Sequence, residues 1–582
     1  MVELVGSNMQ RRSFLICVLL NLTVGACALH SIGDQSSGQT RTSGQDIPAA
    51  ILVSHKEVTA HRLTPHEAIR TRRRGGRFPW PQIQLEAVAD ENGDVTYVHV
   101  TSTYDDGLYP GWEEFFPKAI DVAKSWKFRS FERNGKPVAA RFLEYVNIVP
   151  PEQLPTTHVP FPEIQDWNKL QITLERTSCF GTCPAYKVEI HGDGSMVYTG
   201  TRFVPITGEH RDHISREAVE QIVEAFRRAD YFSLRDKYIQ SVTDNATYRT
   251  SISIGGQTKS VTNYVGEEVG MPQTVTDLEN AIDHIADTAK WIRGDAATLP
   301  ALKSENWNFN SPQAATTLVR IARLGSADAV RELIAAGVAV NGKDEVGSGP
   351  LAAAVCGEFG YSNDNFGVIP VLIEAGAGRD NPAEMNKALI CAARAGDLDA
   401  TRLLLQAGAS PETSDNSANT PLIEAASSGV PQVAEEVLKH HPNINARNQL
   451  GKTAIFAAAV YYVSWEDHDV DHPAVIRLLA KSGADLNAQD QDGNTALHVT
   501  HDLDSAKALI QLGARINILN NEGDTPLINT CSAEVAKLLI HAGADPATRN
   551  IHGLTALDFA LVHNWKGKVE ALQAAQPRKQ QE

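Results

Sequence analysis

Apolar and polar positions begin to alternate at residue 82. The run QIQLEAVADENGDVTYVHVTS gives two period-two segments about Asn92-Gly93, a dipeptide that favours a two-residue hairpin turn. WEEFFPKAIDVAKSWKF then carries a helical pattern, and beyond Asn134-Gly135 the run PVAARFLEYVNIV alternates again. Strand, strand, helix, strand predicts a small α+β sheet over residues 82–153.

A second unit spans residues 160–296. LQITLERTS and AYKVEIHGDGSMVYTGTRFV alternate as strands, with Gly192-Asp193-Gly194 as a turn. ISREAVEQIVEAFRRADYF is an amphipathic helix, apolar at Ile214, Val219, Ile222, Val223 and Phe226. TYRTSISIGGQTKSVTNYV reads as a hairpin about Gly255-Gly256, and TVTDLENAIDHIADTAKWI closes the unit as a helix.

From about Ala314 the pattern becomes a repeat. Threonines that open Thr-x-Leu or Thr-x-Ile stand at Thr420, Thr453, Thr495, Thr525 and Thr555, spaced 33, 42, 30 and 30 residues apart. Glycine-alanine pairs or near equivalents recur at the other end of each period, in AAGVAVN, EAGAGRD, QAGASPE, KSGADLN, QLGARIN and HAGADPA. These motifs resemble ankyrin repeats, units of about 33 residues built from a turn and two short helices. The resemblance implies about seven or eight repeats over residues 310–578, with degenerate ends. In this reading the Thr hydroxyl caps a first helix, paired leucines face the neighbouring repeat, and Gly closes the second helix in a left-handed conformation. The expected fold class is therefore multidomain: two small α+β domains followed by an all-α ankyrin-repeat solenoid.

Two further resemblances concern the upstream units. Asn92-Gly93-Asp94-Val95, SWKF at 125–128 and NGKPV at 134–138 are similar to the C-terminal domain of TonB-like proteins. There is no Pro-rich spanning arm, so the resemblance implies a reused binding domain rather than an energy transducer. CFGTCPAYKV, HGDGSMVYTG, the Tyr238 to Asp244 turn and the closing AKWI helix resemble a bacterial domain family of unknown function, which gives a boundary but no mechanism.

The N-terminal pattern changes the compartment. Arg11 and Arg12 precede an apolar run from Phe14 to about Ala28, shorter than the roughly 20 residues of a membrane span and ordered like a signal peptide. RRSFL also resembles the twin-arginine export signature. Val24-Gly25-Ala26-Cys27 resembles a bacterial lipobox, which implies lipidation at Cys27; simple cleavage after Ala28 is the competing reading. Residues 1–28 are thus read as a signal peptide and residues 29–81 as a flexible tether, since SIGDQSSGQTRTSGQ is too polar to order itself. A short folded piece around Ala49 to Val58 interrupts that reading. The expected location is periplasmic or outer-membrane-anchored in a Gram-negative-type bacterium, with membrane anchoring through the N-terminal lipid.

Net charge is −17 over 582 residues, which argues against nucleic-acid binding. The basic run Arg70 to Arg77 is read as a solvated part of the tether. No GxSxG, P-loop, HExxH or GxGxxG motif is present, so no catalytic residue, metal ligand or cofactor is assigned. Glu209 to His213 clusters titratable groups and reads as a polar loop. His468, Asp469, Asp471 and His472 read as an acidic solvated insert rather than a zinc site. That insert also holds Tyr461, Tyr462 and Trp465, the candidate partner contacts.

Seven cysteines make no disulfide framework. Cys356, Cys391 and Cys531 read as small core or near-core residues of separate repeats. Cys179 and Cys183 form the one close pair. In an exported chain a disulfide is the favoured reading, a staple on the Phe180-Gly181-Thr182 turn. Thiol-redox catalysis, metal binding and two free thiols remain the alternatives. The functional expectation is an exported, non-enzymatic scaffold that binds protein partners through the solenoid. Its rival is an envelope enzyme or redox protein centred on Cys179 and Cys183, and immunity or toxin neutralisation is a third reading.

Overall fold

The computed structural model describes residues 50–53, 58, 61–64, 69–70, 82–103, 115–133, 136–181, 183–242, 244–356, 367–460 and 470–575. The chain divides into two compact units, Ile47–Ala388 and Leu389–Glu582.

Ile47–Ala388 opens with a mixed sheet. Strand β1 is Ile51–Leu52, β2 Ile69–Arg70, β3 Gln82–Ala89 and β4 Val95–Thr103. Helix α1, Phe116–Ser125, crosses to the short hairpin β5 (Phe131–Arg133) and β6 (Lys136–Val138), and then to β7, Ala140–Val149. The order β1-β7-β3-β4 places β3 centrally among the long strands, antiparallel to both β4 and β7. β1 and β2 run parallel to β7, at Ala140–Arg141 and at Ile148–Val149. The stretch read as tether therefore contributes two strands. Both pair with β7 on the side that β3 does not occupy.

Residues 61–64 also leave the tether and lie along 127–129. Leu63 N–H donates to the Lys127 carbonyl at 2.7 Å, and Arg129 N–H donates to His61 at 2.6 Å. Behind this strap Trp126, Phe128, Phe131 and Phe142 form the core, with Phe128 and Phe142 edge-on at 5.0 Å.

The second domain is a seven-stranded sheet in the order β11-β10-β9-β8-β13-β14-β12. Its strands are β8 Gln171–Arg176, β9 Ala185–His191, β10 Ser195–Arg202, β11 Gly208–His213, β12 Lys237–Ile239, β13 Tyr248–Ile254 and β14 Gln257–Tyr264. Helix α2, Arg216–Arg228, follows β11 and is capped by Ser215, whose hydroxyl accepts from Ala218 N–H. Helix α3, Gln273–Ile285, follows β14. The two helices bury Val219, Ile222, Val223 and Phe226 on one and Val275, Leu278, Glu279 and Ile282 on the other. The expected turn at Gly194 has φ +91°, and a Cβ there would stand 2.2 Å from the Ile214 carbonyl, so only glycine fits.

Glu209 to His213 is not a loop. It forms edge strand β11, with period-two alternation: His210 is buried while Glu209, Arg211 and His213 are exposed. Charge on the outer face of an edge strand discourages further pairing.

Short helices α4 (Ala289–Ile292) and α5 (Thr298–Ser304) lead into helix pairs. These are α6 Pro312–Leu324 with α7 Ala327–Ala335, and α8 Pro350–Val355 with α9 Val368–Glu374. The unit boundary falls within α10, Pro382–Arg394, which pairs in sequence with α11, Leu398–Gln406.

Leu389–Glu582 continues as α12 Pro421–Ser428, α13 Pro431–Leu438, α14 Ala454–Ala459 and α15 His472–Lys481. α16 Ala496–Val499, α17 Leu503–Gln511, α18 Pro526–Asn529, α19 Ala533–His541, α20 Ala556–Val562 and α21 Lys566–Ala575 complete it. Eight helix pairs thus follow one another among the described residues. Thr420 and Thr525 accept from the third residue's N–H at 3.3 Å, and Thr495 and Thr555 build capping boxes with His498 and Asp558. Gly337, Gly376, Gly408, Gly483, Gly513 and Gly543 all have positive φ. His441 (φ 53°) takes that conformation in the period that lacks the glycine.

Candidate functional site

The repeats of Leu389–Glu582 share a turn built on one acidic or amide residue five positions before the threonine that precedes each first helix. Asp415 Oδ1 accepts from Ser417 and Asn419 N–H, both at 2.8 Å. Asn448 does the same for Leu450 and Lys452, Asp490 for Asp492 and Asn494, Asn520 for Glu522 and Asp524, and Asn550 for His552 and Leu554. A short oxygen-bearing side chain two and four residues from its donors folds each turn into the same shape. Neighbouring turns then bond to each other through the backbone. Gln449 N–H donates to Ser417, Gln491 to Leu450, Asn521 to Asp492 and Ile551 to Glu522, at 2.9 to 3.0 Å.

The result is a ladder of turn tips held in register like adjacent strands. Leu450 is 54% exposed and Ile551 66% exposed on these tips, with Leu519 50% exposed just before the Asn520 turn. The sequence reading noticed the threonines and glycines but not this ladder. The constant five-residue offset of Asp or Asn from each threonine was the available signal.

In the second domain Cys179 and Cys183 are joined by a disulfide, with Cα atoms 5.5 Å apart. The bridge closes the connection from β8 to β9 and turns Phe180 outward, 87% exposed. Phe180 N–H is tied to the Asp244 carbonyl at 3.3 Å, and Thr177 N–H to Thr247 at 3.0 Å. Pro184 and then strand β9 follow Cys183, so the chain leaves the bridge as a strand and not as a helix. Cys356, Cys391 and Cys531, read from sequence as small core residues, are disulfide-bonded as well. All three are half-buried rather than core residues.

Beside the stapled loop, the ends of several strands converge on a buried polar cluster that sequence reasoning missed. Tyr186 on β9 donates to Asp283 of α3 at 2.7 Å, and Asn263 on β14 donates to Glu279 at 2.9 Å. Burial pushes the Tyr186 phenol far above its ordinary value, with Asp283 adding to the effect. Glu279 lies within the apolar stripe of Val275, Leu278 and Ile282, which was a readable sign of an acid facing the sheet.

Other titratable groups link this domain to the first helices. His210 Nδ1 and Glu305 Oε2 are 2.7 Å apart, Arg211 N–H donates to Glu305 at 2.6 Å, and Lys290 pairs with Asp212 at 2.6 Å. A cleft of about 380 Å³ lined by Leu299, Pro300, Lys303, Glu332, Ala335 and Ala336 offers one cation and one carboxylate, with no nucleophile. Asp471 caps α15 by accepting from Ala474 N–H at 2.7 Å, and its neighbour His472 is buried. No group of three or more His, Cys, Asp or Glu suited to a metal occurs among the described residues. Cys27, Tyr461, Tyr462 and Trp465 lie outside the described residues, as do the signal segment and His468 and Asp469. No helix of the described residues is long and apolar enough to cross a membrane.

Paired short helices, threonine caps and laddered turns mark ankyrin repeats in the C-terminal part of the chain, with further domains upstream. Comparisons with known proteins agree. Residues 359–448 match the family model "Ankyrin repeats (3 copies)", and residues 170–286 match "Domain of unknown function (DUF6438)". Human SH3 and multiple ankyrin repeat domains protein 2 is 34% identical over 157 residues, 27% of this chain and 8% of that protein. Rat Neurogenic locus notch homolog protein 1 is 29% identical over 246 residues, 39% of this chain and 9% of that protein. The chain thus spans less than a tenth of the length of these curated relatives. One similar solved structure is that of the Bd0816 predatory endopeptidase from Bdellovibrio bacteriovorus in complex with immunity protein Bd3460. The match is 28% identical and covers 33% of this chain and 98% of that one, at a TM-score of 0.29, too low to carry fold or function.

Proposed function

We propose that this chain is an exported, non-enzymatic scaffold that holds protein partners on its ankyrin repeats at a bacterial envelope. The observation that carries the reading is the turn ladder of Leu389–Glu582. Its backbone is fixed before any partner arrives, so binding loses little conformational entropy, and it offers exposed Leu450 and Ile551 as apolar anchors. Export is supported by the signal-like residues 1–28 and by disulfide bonding at all five cysteines among the described residues, a state that persists in oxidising compartments. Cys27 is the proposed lipid attachment point, and the sheet of 82–153 is proposed as a TonB C-terminal-like binding module. Its strand, strand, helix, strand order supports that assignment.

The Cys179–Cys183 bridge is proposed as a staple rather than a redox centre, because strand β9, not a helix, follows it. A pulldown from envelope extract tests the scaffold reading. Partners held by the full chain should be lost when residues 314–582 are deleted and weakened by Leu450→Asp with Ile551→Asp. Recovery of the same partners by the truncated chain refutes it. Membrane fractionation of Cys27→Ala tests the anchor, and unchanged membrane association counts against lipidation at that site.

A further inference from the structure

Helix α3 brings two carboxylates, Glu279 and, one turn on, Asp283, into the interior of the second domain. Glu279 is 3% exposed, and its two oxygens stand 3.2 and 2.9 Å from Asn263 Nδ2. Asp283 accepts from the Tyr186 hydroxyl at 2.8 and 2.7 Å and from the Thr288 hydroxyl at 2.8 Å. All of these donors are neutral.

The charged groups facing the pair do not balance it. Arg176 on β8 bears on both carboxylates and Arg293, beyond α4, on Asp283, in each case by charge alone. Against them stand the acids themselves and Glu267, on the turn Gly266–Val269. Tyr198 on β10, Tyr248 on β13 and Tyr231 complete the titratable surroundings. Helix α2, packed beside α3, turns apolar residues inward, and its acidic residues, with Arg227 and Arg228, are exposed. A buried carboxylate and a half-buried one, a helical turn apart and with neutral donors only, cannot both ionise cheaply. Burial accordingly raises Glu279 to about 8 and moves Asp283 upward.

We propose that Glu279 holds a proton at neutral pH and that releasing it, as pH rises, loosens helix α3 from the sheet, making this contact a pH-responsive joint ahead of the repeats. The path to the repeats is short. Asp283 holds Thr288, the residue that opens α4. Trp291 of α4 stacks on His210 with centroids 4.9 Å apart, and its carbonyl accepts from Ile206 N–H. His210 in turn holds Glu305, and the Lys290 carbonyl accepts from Thr298 at the start of α5. Next to Ile206, the Pro205 carbonyl accepts from the Thr317 hydroxyl on α6 at 3.3 Å, so a shift of α3 reaches the first repeat helix through continuous contacts.

The test uses the full chain. Hydrogen exchange of residues 273–292, corrected for intrinsic rates, should accelerate about a hundredfold between pH 6 and pH 9 if opening lets Glu279 ionise normally. In Glu279→Gln, whose amide cannot ionise, that pH dependence should disappear. The wild-type chain should also show a protonated-carboxyl infrared band at pH 6.5 that is lost by pH 9, a readout independent of whether the variant folds. Exchange that changes less than about threefold over this range, an equal pH dependence in Glu279→Gln, or no such band overturns the proposal.

Discussion

Lys568 should make the terminal repeat more stable as the solution becomes alkaline. It lies on α21, is 1% exposed, and donates one hydrogen bond from Nζ, to the Ile528 carbonyl at 2.9 Å. Trp565 faces the ammonium at 4.8 Å, and Asp524 acts on it by charge alone. Burial lowers its pKa from 10.5 to about 7. Between those values the unfolded chain binds a proton at this lysine that the folded chain does not, so stability rises with pH through that window. At and below pH 7 the full penalty is present, at most about 5 kcal/mol.

Lys568→Met removes the buried charge but leaves the Ile528 carbonyl without its donor, a loss of about 1–3 kcal/mol. The variant should therefore be about 2 kcal/mol or more stabler than wild type at pH 6.5. The gap should shrink by about 3 kcal/mol by pH 9.5, because the wild-type penalty fades as unfolded Lys568 nears its own pKa. Urea denaturation of both proteins at the two pH values, with hydrogen exchange over residues 556–575, measures it. Comparing the two proteins cancels every other group that titrates in alkali. A gap that stays constant or widens with pH refutes the reasoning.

Other expectations follow from single contacts. A Cβ at Gly349 would sit 2.1 Å from both Glu384 oxygens, and Glu384 caps α8 by accepting from Leu351 and Ala352 N–H. Gly349→Ala should destabilise by about 1–3 kcal/mol, and a double-mutant cycle with Glu384→Ala should be clearly less than additive; full additivity argues against the contact. Arg62→Ala removes the guanidinium that stands 2.7 Å from Glu144, itself 1% exposed, so the first domain should lose about 3–5 kcal/mol. Adding Glu144→Leu should restore most of that in chemical denaturation, and no rescue would mean the strap matters by packing alone. Cys179→Ser with Cys183→Ser should lower stability by about 2 kcal/mol, seen by calorimetry as a modest drop in the domain's melting temperature. An unchanged melting temperature refutes a staple.

Much of the architecture was legible because its signals are local. Period-two runs around Asn92-Gly93 and Gly255-Gly256 became hairpins, the Gly positions became left-handed closures, and the threonine hydroxyls became helix caps at Thr420, Thr495, Thr525 and Thr555 but not at Thr453. Features that depend on distant partners were read less well. Residues 61–64 have no periodicity of their own. They are ordered because β7 places Glu144 inward between Phe142 and Val146, and Arg62 both neutralises that acid and lies 4.5 Å over Trp126. Glu209 to His213 reads as a loop by composition and becomes a strand only because β10 provides six paired residues beside it.

By itself, then, the sequence determined the kinds of element and their order: two sheet domains, a repeat of about 33 residues, and one cysteine pair too close to be ignored. Hydrophobic period, turn residues and cap residues act within a few positions of themselves, so they survive without knowledge of the fold. The tertiary structure alone decided which polar residues would be enclosed and with what. Glu279 against Asn263, Lys568 against a single carbonyl and Glu384 on another helix's N-terminus each join residues 16 to 40 positions apart. Their energies depend on burial and on neighbouring charge, which exist only once the chain has packed.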